Sequence, residues 1–126
     1  MTLSPEAQAR LASERNIWLA TVRPDGRPHL VPLWFAWHDD LIYICIQPGS
    51  VKATNLRQNP LVSLSLEDGS NVVICEGETA VIPPPPAPAI ITIFQQKYNW
   101  DITTDKDYTQ LIAITPHKWL SWGGSS

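Results

Sequence analysis

Charge is in short supply in this sequence. Asp, Glu, Lys and Arg make up only 17% of the 126 residues, with a net charge of −3. Phosphate backbones demand basic surface, so this balance argues against a nucleic-acid partner. A surface so poor in charge is expected to carry an apolar patch, which points to self-association. Cysteine is scarce as well. Cys45 and Cys75 both sit inside apolar runs, with no CxxC pair and no Cys/His metal spacing. Both are expected to be reduced and buried. No long apolar run stands at the N-terminus, so neither a signal peptide nor a membrane span is expected, and the expected compartment is the cytoplasm.

Chemical motifs are missing too. His29, His38 and His117 are scattered, and no His/carboxylate cluster accompanies them, so no metal ligands are assigned. There is no GxGxxG, no Walker motif and no nucleophile elbow. Glu76 and Glu78 share a strand face and read as a solvated pair, and no catalytic side chain is assigned. If this chain is an enzyme, a bound cofactor supplies the reactivity and the protein supplies placement.

What is present is a series of short strands. The length suits one domain over residues 1–126. Ser4-Pro5-Glu6 is a helix start, with an N-cap, a proline in the first turn and an acid behind it, and the helix is expected to reach about Arg15. A strand follows over residues 16–23, apolar on both faces and so central in its sheet. Pro24-Asp25-Gly26-Arg27 turns it into a second strand over 29–37. Leu41–Ile46 is the third. Residues 61–66 alternate with period two, and Asp68-Gly69 turns them into a strand over 72–82, in which Gly77 marks a bulge or a close backbone approach. Residues 83–107 hold a stiff proline-rich connector, a helix over 89–98 and a polar loop. The last strands are expected over 108–115 and 117–122, with Pro116 interrupting them. Hairpin-linked strands with only short helices make a mainly β chain, a small antiparallel barrel.

The chain is organised around residues 41–60. The strand Leu41–Ile46 ends at Gln47-Pro48-Gly49-Ser50, and a helix over 51–57 follows. A turn that opens a helix offers free N–H groups and the positive end of a dipole, and Ser50 and Lys52 add a hydroxyl and a cation. This suits a phosphate, although Ser50 is equally an ordinary N-cap. Pro32 lies within the second strand, where it has no N–H for a ladder; it needs an edge, a bulge or a gap. A gap would leave neighbouring backbone groups free for the polar rim of a flat ring. Of the six tryptophans, Trp34 follows Pro32 two residues on, expected on the same face, while Trp119 and Trp122 lie near the C-terminus.

Several segments together resemble the pyridoxamine 5'-phosphate oxidase-like family of flavin- and deazaflavin-binding split barrels. They are Trp18-Leu19-Ala20-Thr21-Val22-Arg23-Pro24-Asp25-Gly26-Arg27-Pro28, then Val31-Pro32-Leu33-Trp34-Phe35, then the run from Gln47 through Ser50, Lys52 and Asn55 to Pro60, then Glu76-Gly77 and Thr115-Pro116-His117-Lys118-Trp119. The resemblance implies a six-stranded split barrel, a homodimer and two cofactors at the subunit interface. It implies Ser50, Val51 and Lys52 at the cofactor phosphate, with Asn55 supporting that segment. It places Val31, Pro32, Leu33 and Trp34 around the isoalloxazine ring, with Ile46 and Gln47 from the adjacent strand and Trp122 reaching over from the other subunit. The implied activity is that of an FMN-binding oxidoreductase acting on a small organic substrate. The alternatives are a reductase using the deazaflavin coenzyme F-420 and a flavin carrier or sensor without turnover. Pyridoxamine phosphate oxidases are longer and end in an arginine-bearing segment; here the sequence reads Trp119-Leu120-Ser121-Trp122-Gly123-Gly124, so vitamin B6 oxidation is not expected. Gly49-Ser50 also stands where relatives place arginine, which shifts phosphate binding toward backbone N–H groups and Lys52.

Overall fold

A computed structural model describes residues 3–123. The elements in chain order are α1 (Pro5–Ser13), β1 (Ile17–Val22), β2 (Pro28–Leu33), β3 (Ala36–His38), β4 (Leu41–Ile46), α2 (Val51–Gln58), β5 (Leu61–Ser65), β6 (Asn71–Ile82), α3 (Pro88–Tyr98) and β7 (Gln110–Gly123). All strand pairs are antiparallel, in the order β2-β1-β5-β6-β7-β4-β3. The fold is the expected mainly β split barrel, with seven strands rather than six.

The extra strand has a local cause. The run expected to be one strand over residues 29–37 breaks at Trp34 and Phe35. The Phe35 N–H donates to the Tyr98 hydroxyl at 3.0 Å, and the Phe35 carbonyl accepts from Lys97 Nζ at 3.0 Å. Its backbone groups are therefore satisfied by α3 side chains instead of a ladder. Trp34 consequently lies beyond the strand and does not share a strand face with Pro32; its ring stacks on Tyr98 with centroids 4.5 Å apart.

Other boundaries move for similar reasons. α1 stops at Ser13, short of Arg15, because Glu14 turns extended while its carboxylate pairs with Arg10 at 2.6 Å. Pro116 does not divide the last strand. β7 runs unbroken from Gln110 to Gly123, and Pro116 sits opposite Gly77 where β6 and β7 shift register. The bulge absorbs the missing N–H. A Cβ on Gly77 would lie 2.5 Å from the Thr115 carbonyl oxygen, so the close strand approach there requires glycine.

Two cores share β4. Ile42, Ile44 and Ile46 point into the barrel with Ile17, Leu19, Leu64 and Ile114. Tyr43 and Cys45 point the other way, into a second cluster with Phe94, Tyr98 and Leu111 under α3. This is the period-two alternation of a strand covered on both faces. Both cysteines are buried and unpaired. Among the described residues, no helix is long and apolar enough to cross a membrane.

Candidate functional site

The barrel is split between β2 and β4. β2 pairs only with β1, and β4 pairs with β3 only through Leu41, Ile42 and Tyr43. The outer edge of β2 and the edge of β4 at Ile44, Cys45 and Ile46 therefore carry backbone groups outside any ladder described here. Pro32 lies on such an edge, where a residue without N–H costs no pairing.

At one end of the split stands α2. Its N-cap is Ser50, whose Oγ accepts from the Ala53 N–H at 3.2 Å. Asn55 is buried, and its Nδ2 donates to Thr21 Oγ1 at 2.9 Å, which fixes the helix against β1. Lys52 is half-buried and Val51 exposed. Across from them is His29 on β2, whose buried Nδ1 has no hydrogen-bond partner. Burial holds its pKa below the ordinary value, and the positive charges of Arg23 and Lys52 push it the same way. Arg57 donates to the Pro48 carbonyl at 3.4 Å and so stays at the turn. Among the described residues the ion pairs are Arg10–Glu14 and Arg27–Asp25, so Arg23, Lys52 and Arg57 lack carboxylate partners. An orphaned buried polar atom beside unanswered cations and a helix start is what an anionic group would complete.

At the other end is a cleft of about 390 Å³ whose lining includes Pro32, Leu33, Trp34, Cys45, Trp100 and Tyr108. Burial pushes the Cys45 thiol up to about 12, with the Asp105 charge adding to it, so it stays protonated at neutral pH. Asp105, also in the lining, accepts from Trp100 Nε1 at 3.0 Å and from the Asp107 and Tyr108 N–H groups at 2.8 and 2.9 Å. The Tyr108 and Asp107 N–H bonds keep its pKa below the usual carboxylate value.

The residues singled out in the sequence fall into three groups. Ser50, Lys52 and Asn55 gather at the α2 start. Pro32, Leu33 and Trp34 line the cleft, and Val31 lies half-buried between them and His29. Ile46 turns its side chain fully into the barrel, Gln47 is exposed in the turn, and Trp122 stands exposed near the end of β7. Sequence reasoning missed His29 and Arg23 beside Lys52, and Cys45, Trp100 and Tyr108 in the cleft. Alternation could have found two of them: His29 shares the Val31 and Leu33 face, and Cys45 lies opposite Ile44 and Ile46.

A family model described as Pyridoxamine 5'-phosphate oxidase matches residues 3–123. The F-420-dependent biliverdin reductase of Mycobacterium tuberculosis is 33% identical over 81 residues, 63% of this chain and 59% of that protein. A conserved hypothetical protein from Mycobacterium tuberculosis superposes with a TM-score of 0.81 at 28% identity, covering 98% of this chain and 86% of that one. HutZ, the heme storage protein from Vibrio cholerae, shares the fold with a TM-score of 0.79 at 20% identity, covering 98% of each chain.

Proposed function

We propose that this chain, which belongs to the Pyridoxamine 5'-phosphate oxidase family, is an oxidoreductase that holds a flavin-type cofactor along the split between β2 and β4. The observation that carries this is the buried, unpartnered His29 Nδ1 facing Lys52 and Arg23 at the α2 start. Ser50, the first N–H groups of α2, Lys52 and His29 bind the anionic end. Asn55 keeps that helix in place through Thr21. The free edges of β2 and β4 offer backbone donors and acceptors to the polar rim of a ring. When bound, the cofactor supplies the hydride or electron transfer. The chain supplies position, and Cys45 keeps its proton.

Of the two cofactors, the deazaflavin F-420 is better supported than FMN. The curated relative uses it. Lys52 and Arg57 on α2, with Arg23 near His29, spread positive charge over this end, which suits a tail with several anionic groups better than one phosphate. Titrating the cofactor-free protein with each is expected to give tighter binding of F-420. Lys52→Ala is expected to weaken it about tenfold, the worth of one charge-assisted contact. Affinity unchanged by that substitution would remove the assigned site. A carrier or sensor without turnover is the second reading, motivated by the absence of an assigned acid–base pair among the described residues. It predicts that the reduced cofactor, once bound, is not reoxidised by any organic acceptor.

The reading includes a homodimer, built on the outer face of β2-β1-β5-β6-β7. Leu30 and Trp122 stand out there at 60% and 58% exposure, and Leu61 on β5 is exposed as well. Sedimentation velocity is expected to give twice the chain mass of 14.1 kDa. A monomer at micromolar concentration would rule this out.

A further inference from the structure

Beyond Leu33 the split opens into a part of the cleft with a different chemistry from the α2 end. Leu33 lies four residues along β2 from His29, about 13 Å at the rise of a strand. A cofactor anchored at His29 and Lys52 places its ring near Val31 and Leu33, and the cleft continues past it to Trp34, Trp100 and Tyr108. Trp34 packs one face on Tyr98 and meets the Trp100 ring edge-on at 5.8 Å, yet it is 44% exposed. A large aromatic left that open inside a cleft is a stacking surface without a partner.

One cation, Arg15, stands beside the aromatic wall of this region. The Arg15 guanidinium lies 4.9 Å from the Tyr98 ring centre and 5.9 Å from that of Trp34. Its Nη1 donates to the Lys97 carbonyl at 2.7 Å, which fixes the head in place, and no carboxylate of the described residues pairs with it. The acid in the lining, Asp105, keeps its negative charge but forms no ion pair with Arg15. Both oxygens of Asp105 are taken by donors of its own loop, so its role is to hold Trp100 and Tyr108 in position.

We infer that this end of the cleft is a second subsite, which takes a planar aromatic carboxylate with its ring against Trp34 and Trp100 and its acid group at Arg15. As the place of the substrate, it rests on the cofactor reading above. Arg15 is suited to the task because its planar fork pairs with a carboxylate in two-point fashion while its face lies on aromatic rings. Cys45 provides a neutral floor, and the bond from Arg15 to Lys97 orders the guanidinium before any ligand arrives.

The test uses naphthalene carboxylate and its neutral isostere naphthalene carboxamide, titrated calorimetrically into the full chain with and without F-420. The carboxylate is expected to bind about tenfold tighter than the amide. Arg15→Gln is expected to erase that preference, and Arg15→Lys to restore part of it. Cofactor affinity should be the same in all three proteins. Equal binding of the two probes, or a preference that survives Arg15→Gln, overturns the subsite. So does displacement of the carboxylate by F-420, which would make this region part of the ring pocket. A chain that binds no cofactor but discriminates the probes loses the cofactor reading and keeps the subsite. A chain that binds cofactor but neither probe loses the subsite alone.

Discussion

Tyr98→Ala is expected to lose about 4 kcal/mol of folding stability, in the range of a large buried aromatic removed from a core. Tyr98 is buried under α3, packs on Phe94 and stacks on Trp34. Its hydroxyl accepts from the Phe35 N–H at 3.0 Å and donates to the Arg15 carbonyl at 2.7 Å. Phe35 has left the ladder, so removing that hydroxyl leaves a buried N–H with no partner. Tyr98→Phe separates the two contributions. It keeps the ring and is expected to cost about 2 kcal/mol for the unsatisfied groups alone. Urea denaturation of both variants checks this. A loss below about 1 kcal/mol for Tyr98→Ala would mean that the break between β2 and β3 is held by something else. Tyr98→Ala should also loosen the cleft, because Trp34 and Arg15 both lie on the Tyr98 ring, whereas Tyr98→Phe should leave it in place.

Alkaline pH is expected to act with comparable force. Lys97 is lowered from 10.5 to about 8 by burial, with the charge of Arg15 adding to it. Between those values the unfolded chain binds the extra proton, so this group makes stability rise with pH. Cys45 and Cys75 are raised from 9.0 to about 12, and Tyr98 from 10.0 to about 12, in each case chiefly by burial. Above their ordinary values the folded chain holds the extra protons, so these three make stability fall. Between about pH 8 and 9 the Lys97 effect acts alone, from pH 9 the cysteines oppose it, and beyond pH 10 the acids prevail with a net loss of stability. Thermal melts at rising pH should climb slightly from about pH 8 to 9 and drop beyond pH 10. Replacing both cysteines with alanine should remove most of the drop; an unchanged drop would place the alkaline limit elsewhere.

How far the sequence could be read differed from one element to the next. The α2 start was legible because it is a local matter: a glycine-containing turn, an N-cap serine and a lysine in the first turn need no distant partner. Pro32 was legible for the same reason, since a missing N–H demands an edge wherever the strand lies. Pro116 shows where such rules stop. The missing N–H was real, but the bulge at Gly77 on another strand accommodated it and the strand continued. The break at Trp34 and Phe35 was not visible, because the groups that hold it come from α3, sixty-three residues away for the Phe35–Tyr98 bond.

The sequence by itself determined that the chain is a strand-rich barrel of one family, with a serine-capped helix start that carries a lysine, and with a proline-marked edge. Backbone propensity, turn chemistry and period-two alternation carry those features, and all of them act over a few residues. Tertiary structure alone decided which side chains meet. It brought His29 and Arg23 to Lys52 by setting β2 against the α2 start. It turned Cys45 rather than Ile46 toward the cleft, and it laid Arg15 on Tyr98 across eighty-three residues of chain. Strand order and register fix such meetings, and they depend on how the whole sheet closes, which no short stretch of sequence encodes.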